Sequence, residues 1–399
     1  MASGGPSPYP EMFDGLSARW FRARETTECH LHAAPLERDG DCVESQTAAI
    51  YARLGEFLEK HRASPSDVVW EQVFLRDVGN DRSGFEAARG IAIDRMTEAA
   101  RSRDAGARGM PGVPAHLRYE PATSCLGQPP LATRHRVEAL FRIHVSDAPR
   151  PPSRRVIAGA SMCGCEPCDS VQATMLALPA SAQIISGQVY GPPGDALSEA
   201  YGMFCAADEL LARSGVRFAD VVRTWIWLRR MGRDYDALNR ARSLFFAERE
   251  IRQFPASTGI GAAPIPDEHD LALAFIAVKG PSNVVRKEVM SASTLNEAPA
   301  YGSAFSRGLA VADGEKVTLH ISGTASVDEH GRSVHPGDLE AQIDRTLQNI
   351  EALLRGRGAS FDDVVSAITY LKHAKDTSRL QAKLDEHGIA GKFPNVLVE

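Results

Sequence analysis

The sequence predicts an α+β fold built as three tandem units, and three observations carry the prediction. The stretch from Leu319 to Leu371 reads as strand, turn, amphipathic helix and second strand. Weaker copies of that plan occur twice upstream. The copies also share a register: Asp67, Asp220 and Asp363 each open an Asp-Val-Val segment, and Leu58, Leu211 and Leu354 each precede their aspartate by nine residues. Repeats of this size are whole domains, not solenoid units. Each would be an antiparallel-containing sheet with two helices packed on one face.

In the third copy, Leu319 and Ile321 alternate as in a strand that runs into Ser322, Gly323, Thr324 and Ala325. Small side chains there let backbone or ligand approach closely, a natural pocket floor. Asp338 is placed to cap a helix whose apolar face is Leu339, Ile343, Leu347, Ile350 and Leu354. Gly358 suits the left-handed position past its end, and VVSAITYL after Asp363 has the β-branched and aromatic content of a strand.

Residues 1–15, rich in Gly, Pro and Ser, read as a mobile tail ahead of a first unit at 16–147. That unit holds a helix at Thr47–Lys60, the strand DVVWEQVFL, a second helical segment near Phe85–Met96 and a closing strand that carries Glu138. A Pro-rich linker, APRPPSRR, leads to a second unit at 155–282. There Ser186, Gly187 and Gln188 match Ser322, Gly323 and Thr324 in position. A helix at Ala200–Arg213, the strand DVVRTWIWL, a helix from Asp234 to Glu248, a glycine-rich loop FPASTGIGAAP and a closing strand LALAFIAV follow. The third unit covers 283–399.

At 399 residues and 43% hydrophobic content the chain can bury ordinary globular cores. A net charge of −6, with no long Lys/Arg run, argues against a nucleic-acid surface. No apolar run approaches the roughly 20 residues that span a bilayer, and the N-terminus has no basic-then-apolar leader, so a cytoplasmic protein with no membrane partner is expected. Seven cysteines fit reduced thiols better than a disulfide framework. Cys163, Cys165 and Cys168 form the local cluster CGCEPC. No fourth ligand completes a familiar zinc spacing, so a Cys-rich loop is preferred to a metal site and no metal is expected.

The third unit, SGTASVDEHGRSVHPGDLEAQIDRTLQNIEALL, resembles the Rid (YjgF-like, chorismate-mutase-like) superfamily. Residues 155–399 are more specifically similar to the chorismatase family, including the 3-hydroxybenzoate synthases, through RTWIWL from Arg223, YDALNRARSLFF from Tyr235, FPASTGIG from Phe254 and SGTASVDEHGRSVHPGD from Ser322. The resemblance implies an intramolecular pseudo-trimer, hence a monomer with internal three-fold pseudo-symmetry. It also implies a cofactor-free reaction in which chorismate, a small-molecule substrate, loses its enolpyruvyl group as pyruvate and leaves a hydroxybenzoate or a dihydroxycyclohexadiene carboxylate in secondary metabolism.

A dicarboxylate substrate needs fixed cations, and arginine offers each carboxylate two parallel donors. Arg223, Arg240 and Arg242 lie among the chorismatase-like segments, although each taken singly also fits a solvated surface. Arg223 has the stronger case, opening an aromatic strand with Trp225 and Trp227. Tyr235 is placed to hydrogen-bond substrate or to cover a helix face. Thr258, Gly259 and Gly261 offer backbone to a ligand, or make a tight turn. With Ser322, Gly323, Thr324 and Ala325 these complete the expected substrate-binding set.

The catalytic residue is left unknown. The family places a glutamate on its last strand, which would lie beyond Glu399; either the sequence stops short of that strand or the acid is lost. A missing strand would expose a sheet edge, which favours the first. The superfamily's imine-hydrolysing pair, an arginine and a glutamate fifteen residues on, is absent: Thr123 stands before Glu138, and Ser257 and Ala272 replace both. Two alternatives stay open, a non-catalytic or divergent binder of a small aromatic carboxylate and a structural protein of three Rid-like units.

Overall fold

The computed structural model describes residues 7–104, 106, 112–146, 153–158, 172–297 and 303–399. The chain forms two compact units. One comprises Met1–Pro149, Val364–Thr377 and Gly391–Glu399, the other Arg150–Asp363 and Ser378–Ala390.

The first repeat runs β1 (Tyr9–Phe13), β2 (Leu16–Arg22), β3 (Thr26–Ala33), α1 (Val43–Lys60), β4 (Val68–Leu75), α2 (Val78–Arg103), β5 (Ala122–Gly127) and β6 (Val137–Ser146). The strands lie in the order β1-β2-β3-β6-β4-β5. The pair β4 and β5 is parallel, while β6 is antiparallel to both β3 and β4. Residues 9–13, expected in a mobile tail, are the edge strand β1, where Glu11 accepts a 2.8 Å hydrogen bond from the Trp20 indole. Helix α1 turns Ile50, Tyr51, Leu54, Phe57 and Leu58 into the core. Phe57 stacks on Trp20 at 5.7 Å and Tyr51 meets Phe141 edge-on at 5.8 Å, the offset geometries aromatic quadrupoles prefer.

The second repeat repeats the plan: β7 (Ser153–Ala158), β8 (Gln172–Ala177), β9 (Ala182–Ser186), α3 (Ala196–Ala212), β10 (Val221–Leu228), α4 (Met231–Glu248), β11 (Ala256–Gly261), a two-residue β12 (Ala263–Pro264) and β13 (Leu271–Lys279). The sheet order is β11-β10-β13-β9-β8-β7. Phe204, Phe218, Phe245 and Phe246 make its aromatic core. The segment expected as a glycine-rich loop is largely strand. Thr258 and Ile260 are β-branched, and β11 gains a full parallel ladder with β10 from Arg223–Ala256 to Leu228–Gly261.

In the third repeat, β14 (Arg286–Met290), β15 (Gly308–Ala312) and β16 (Val317–Ile321) form a three-stranded sheet. After α5 (Leu339–Arg355) come β17 (Ala367–Tyr370), α6 (Thr377–Glu386) and β18 (Asn395–Val398), with β17 and β18 a parallel pair. Asp338 caps α5, accepting from the Ala341 N–H at 3.1 Å as expected.

The shared Asp-Val-Val signature has a common physical basis. Each aspartate ends a short 3-10 turn and accepts from the backbone N–H three residues earlier: Ser64 to Asp67 at 2.7 Å, Arg217 to Asp220 at 3.1 Å and Ser360 to Asp363 at 2.9 Å. Upstream, the carbonyls of Leu58, Leu211 and Leu354 accept from Ala63, Val216 and Ala359. The residue between is left-handed each time: Arg62 (φ 54°), Gly215 (φ 66°) and Gly358 (φ 70°).

The cysteine cluster Cys163, Cys165 and Cys168 lies outside the described residues. Among the described residues no group of three or more His, Cys, Asp or Glu is placed to hold a metal ion, and no helix is long and apolar enough to cross a membrane.

Candidate functional site

Parallel pairing sets Thr224 opposite Ser257 and Trp225 opposite Thr258. Because side chains two apart share a strand face, Arg223 and Trp225 lie together, the guanidinium 4.5 Å from the indole centroid. Arg223 Nη2 donates to Thr258 Oγ1 at 2.7 Å, and Thr224 Oγ1 to Ser257 Oγ at 2.8 Å. The loop after β16 closes onto the same strand. Ser322 Oγ accepts from the Ser257 N–H at 2.8 Å and donates to the Ser306 carbonyl, while the Gly323 N–H donates to the Ser257 carbonyl at 3.1 Å. A Cβ at Gly323 would stand 3.2 Å from Thr258 Cγ2, so glycine is what permits this approach.

Ser306 anchors a third segment, its N–H bound to the Pro255 carbonyl and its hydroxyl to that of Phe254. On either side of it in sequence lie Phe305 and Arg307, and Arg242 of α4 approaches the Phe305 ring. The guanidinium carbons of Arg242 and Arg307 lie 5.5 and 5.6 Å from the Phe305 centroid. Arg307 also donates to the Asn296 carbonyl at 2.8 Å and its side-chain oxygen at 2.9 Å, and Arg242 to Asn239 Oδ1 at 2.7 Å. Burial pushes the neighbouring Glu297 carboxyl up, against the opposing pull of the Arg307 charge. Arg223, Arg242 and Arg307 are exposed by only 8%, 5% and 5%. In so low a dielectric a guanidinium charge favours anionic company.

The structure therefore brings together Arg223, Thr258, Ser322 and Gly323, with Arg242 joined through Phe305 and Ser306. Tyr235 is half-buried on α4, its ring 3.6 Å from where a Gly259 Cβ would stand, and Gly261 faces Met231. Thr324 donates to the Ser322 carbonyl at 2.9 Å, and the Ala325 carbonyl accepts from Asn349, so both hold the loop's own shape. Arg240 is exposed on α4 and stands outside this set. Sequence reasoning did not single out Phe305, Ser306 or Arg307; the only local signal was their place just before a strand of small and apolar residues.

Strand register also fixes the position of the absent imine-hydrolysing arginine. Thr123 pairs with Glu71, Ser257 with Thr224 and Asn395 with Ala367, each four residues past the shared aspartate, so no repeat has an arginine there. Glu138 is enclosed by His32 at 2.8 Å and His135 at 2.7 Å.

Residues 296–397 match the family model described as endoribonuclease L-PSP. A RutC family protein of Pyrococcus abyssi is 31% identical over 81 residues, which is 20% of this chain and 64% of that protein. One of Saccharolobus solfataricus is 37% identical over 75 residues, 19% of this chain and 56% of that protein. The chain thus spans less than two thirds of the length of these relatives. A crystal structure of chorismatase aligns with a TM-score of 0.54 at 15% identity, covering 84% of this chain and 88% of that one. The α+β fold in tandem units is therefore chorismatase-like over most of the chain, and the Rid-like sequence signal lies in its last repeat.

Proposed function

We propose that this chain is a chorismatase-like enzyme that binds chorismate and removes its enolpyruvyl group as pyruvate, leaving a hydroxybenzoate or a dihydroxycyclohexadiene carboxylate. The observation that carries the reading is the set Arg223, Thr258, Gly323, Phe305, Arg242 and Arg307, in which three buried guanidinium groups lie against the Trp225 and Phe305 rings. Two carboxylates on a ring-shaped ligand suit separate arginines, and Trp225 and Phe305 offer flat apolar surface. Protonating the enolpyruvyl methylene makes an oxocarbenium-like carbon. Attack by water, or by the ring hydroxyl, then leads to release of pyruvate.

A second reading is a binder of an aromatic carboxylate without turnover, which draws on the same buried arginines and aromatic rings. We take the active species to be a monomer of 43.2 kDa.

The test is incubation of the purified chain with chorismate, following pyruvate with a coupled dehydrogenase, separating the aromatic products, and sizing the same sample by gel filtration. Pyruvate at a monomer mass is expected. Chorismate binding without pyruvate would select the second reading, and absence of binding would sink both.

A further inference from the structure

Counting from the shared aspartates carries the strand face of the second repeat's site onto the first repeat. Gln72 and Trp225 each lie five residues past their aspartate. Ser124 sits opposite Gln72 on the parallel β4–β5 ladder, as Thr258 sits opposite Trp225 on β10–β11. The first repeat therefore places Trp70, Gln72, Phe74 and Ser124 where the second has Arg223, Trp225, Trp227 and Thr258. Glu71 turns to the helices, where Arg89 of α2 donates to it at 2.8 Å, so alternation sets Gln72 and its neighbours two apart on the other face.

Gln72 and Ser124 are both 0% exposed, yet among the described residues neither the amide nitrogen and oxygen of Gln72 nor the Ser124 hydroxyl has a hydrogen-bond partner. Nearly all buried polar atoms in folded chains are paired, and an unpaired buried amide is a standing cost that methionine or leucine would avoid at a purely structural position. Charges on the same face have partners of their own. Arg142, across from Trp70, donates to Glu28 at 2.8 Å, and Glu138, across from Phe74, is held by His32 and His135. The patch beside them is polar and uncharged, with aromatic residues two positions either side of Gln72.

We propose that Gln72 and Ser124 form a second binding site, within the first repeat, for a small uncharged planar ligand that carries an amide N–H beside its C=O, as a lactam ring does. A carboxamide presents one acceptor and one donor side by side. The cis-amide edge of a lactam presents the complementary pair, so two parallel hydrogen bonds form, and the Ser124 hydroxyl rotates to serve either atom. Trp70 in the place of Arg223 removes the cation that a carboxylate would need and leaves apolar surface for the ring. The site is independent of the reading given to the second repeat.

The test titrates the 399-residue chain by calorimetry with 2-pyridone, and with N-methyl-2-pyridone, which keeps the ring and carbonyl but has no N–H. Saturable binding of 2-pyridone is expected, at least tenfold tighter than that of the N-methyl compound and at least tenfold weakened in Gln72→Met. The ligand-free Gln72→Met chain should also melt at a higher temperature than the unsubstituted chain, because the substitution keeps the length of the side chain and removes the unpaired amide. A glutamine retained for structure alone would make that variant melt lower. No saturable binding of 2-pyridone, equal binding of the two probes, or a lower melting temperature for Gln72→Met overturns the proposal.

Discussion

A guanidinium that is 8% exposed needs its charge stabilised by whatever replaces water, and Arg223 has a threonine hydroxyl at 2.7 Å and an indole face at 4.5 Å. On the proposed function, Arg223→Leu should weaken chorismate binding at least tenfold, in line with about 1.5–3 kcal/mol for a hydrogen bond to a charged group. Arg240→Leu, altering an exposed side chain of α4, should leave it unchanged. Isothermal titration of both variants checks this; equal losses would mean the site is not where the buried arginines gather. At this scale the sequence was legible where chemistry had local company. Arg223 stands in an aromatic strand, and Ser322-Gly323 is a run of small residues. Phe305 and Arg307 were not legible, because their contacts with Arg242 and Asn296 join segments that no short-range pattern connects.

Elements obey local rules most visibly where the repeats can be compared. The left-handed residue after α1 is Arg62, where the second and third repeats have Gly215 and Gly358. A Cβ in that conformation costs about 1–2 kcal/mol, partly offset by the greater unfolded-state freedom of glycine. Arg62→Gly should therefore raise stability by about 0.5–1 kcal/mol, and Gly358→Ala should lower it by about 1 kcal/mol. Urea midpoints at unchanged slope measure both, and a neutral Arg62→Gly would show that the position relaxes. Such signals are readable from sequence because a cap is local: Asp338 and Gly358 were both expected and both occupy their places. Strand β11 was not readable in that way. Its glycines suggest a loop, and only the ladder with β10, a tertiary contact, makes Ala256–Gly261 extended.

Across the whole molecule, each compact unit depends on carboxylates that ionise more readily folded than unfolded. In the first unit, burial alone would push the Glu138 carboxyl up from its ordinary 4.5, but hydrogen bonds from His135 and His32, with their charges, outweigh it and hold the group below that value. In the second unit burial likewise opposes ionisation of Asp328, and the hydrogen bonds from Arg332 and the His330 backbone bring it down to about 2. Lys383 and His387 lower Asp344 in the same way. The sign follows from linkage. A carboxylate whose folded pKa is depressed binds fewer protons folded than unfolded, so its stabilisation is fully present above the unfolded value and is lost as pH falls through the folded one. Stability should accordingly be level near neutrality and decline below about 4.5, the decline continuing toward pH 2 as Asp328 is protonated. Trp20 and Trp70 report the first unit and Trp225 and Trp227 the second, so acid titrations of fluorescence can follow each. In Glu138→Gln the first unit should be weaker at neutral pH but less sensitive to acid, while the second keeps its original profile. An unchanged acid transition in the first unit would show that the two histidines do not hold Glu138 ionised, and that its burial is tolerated for packing alone.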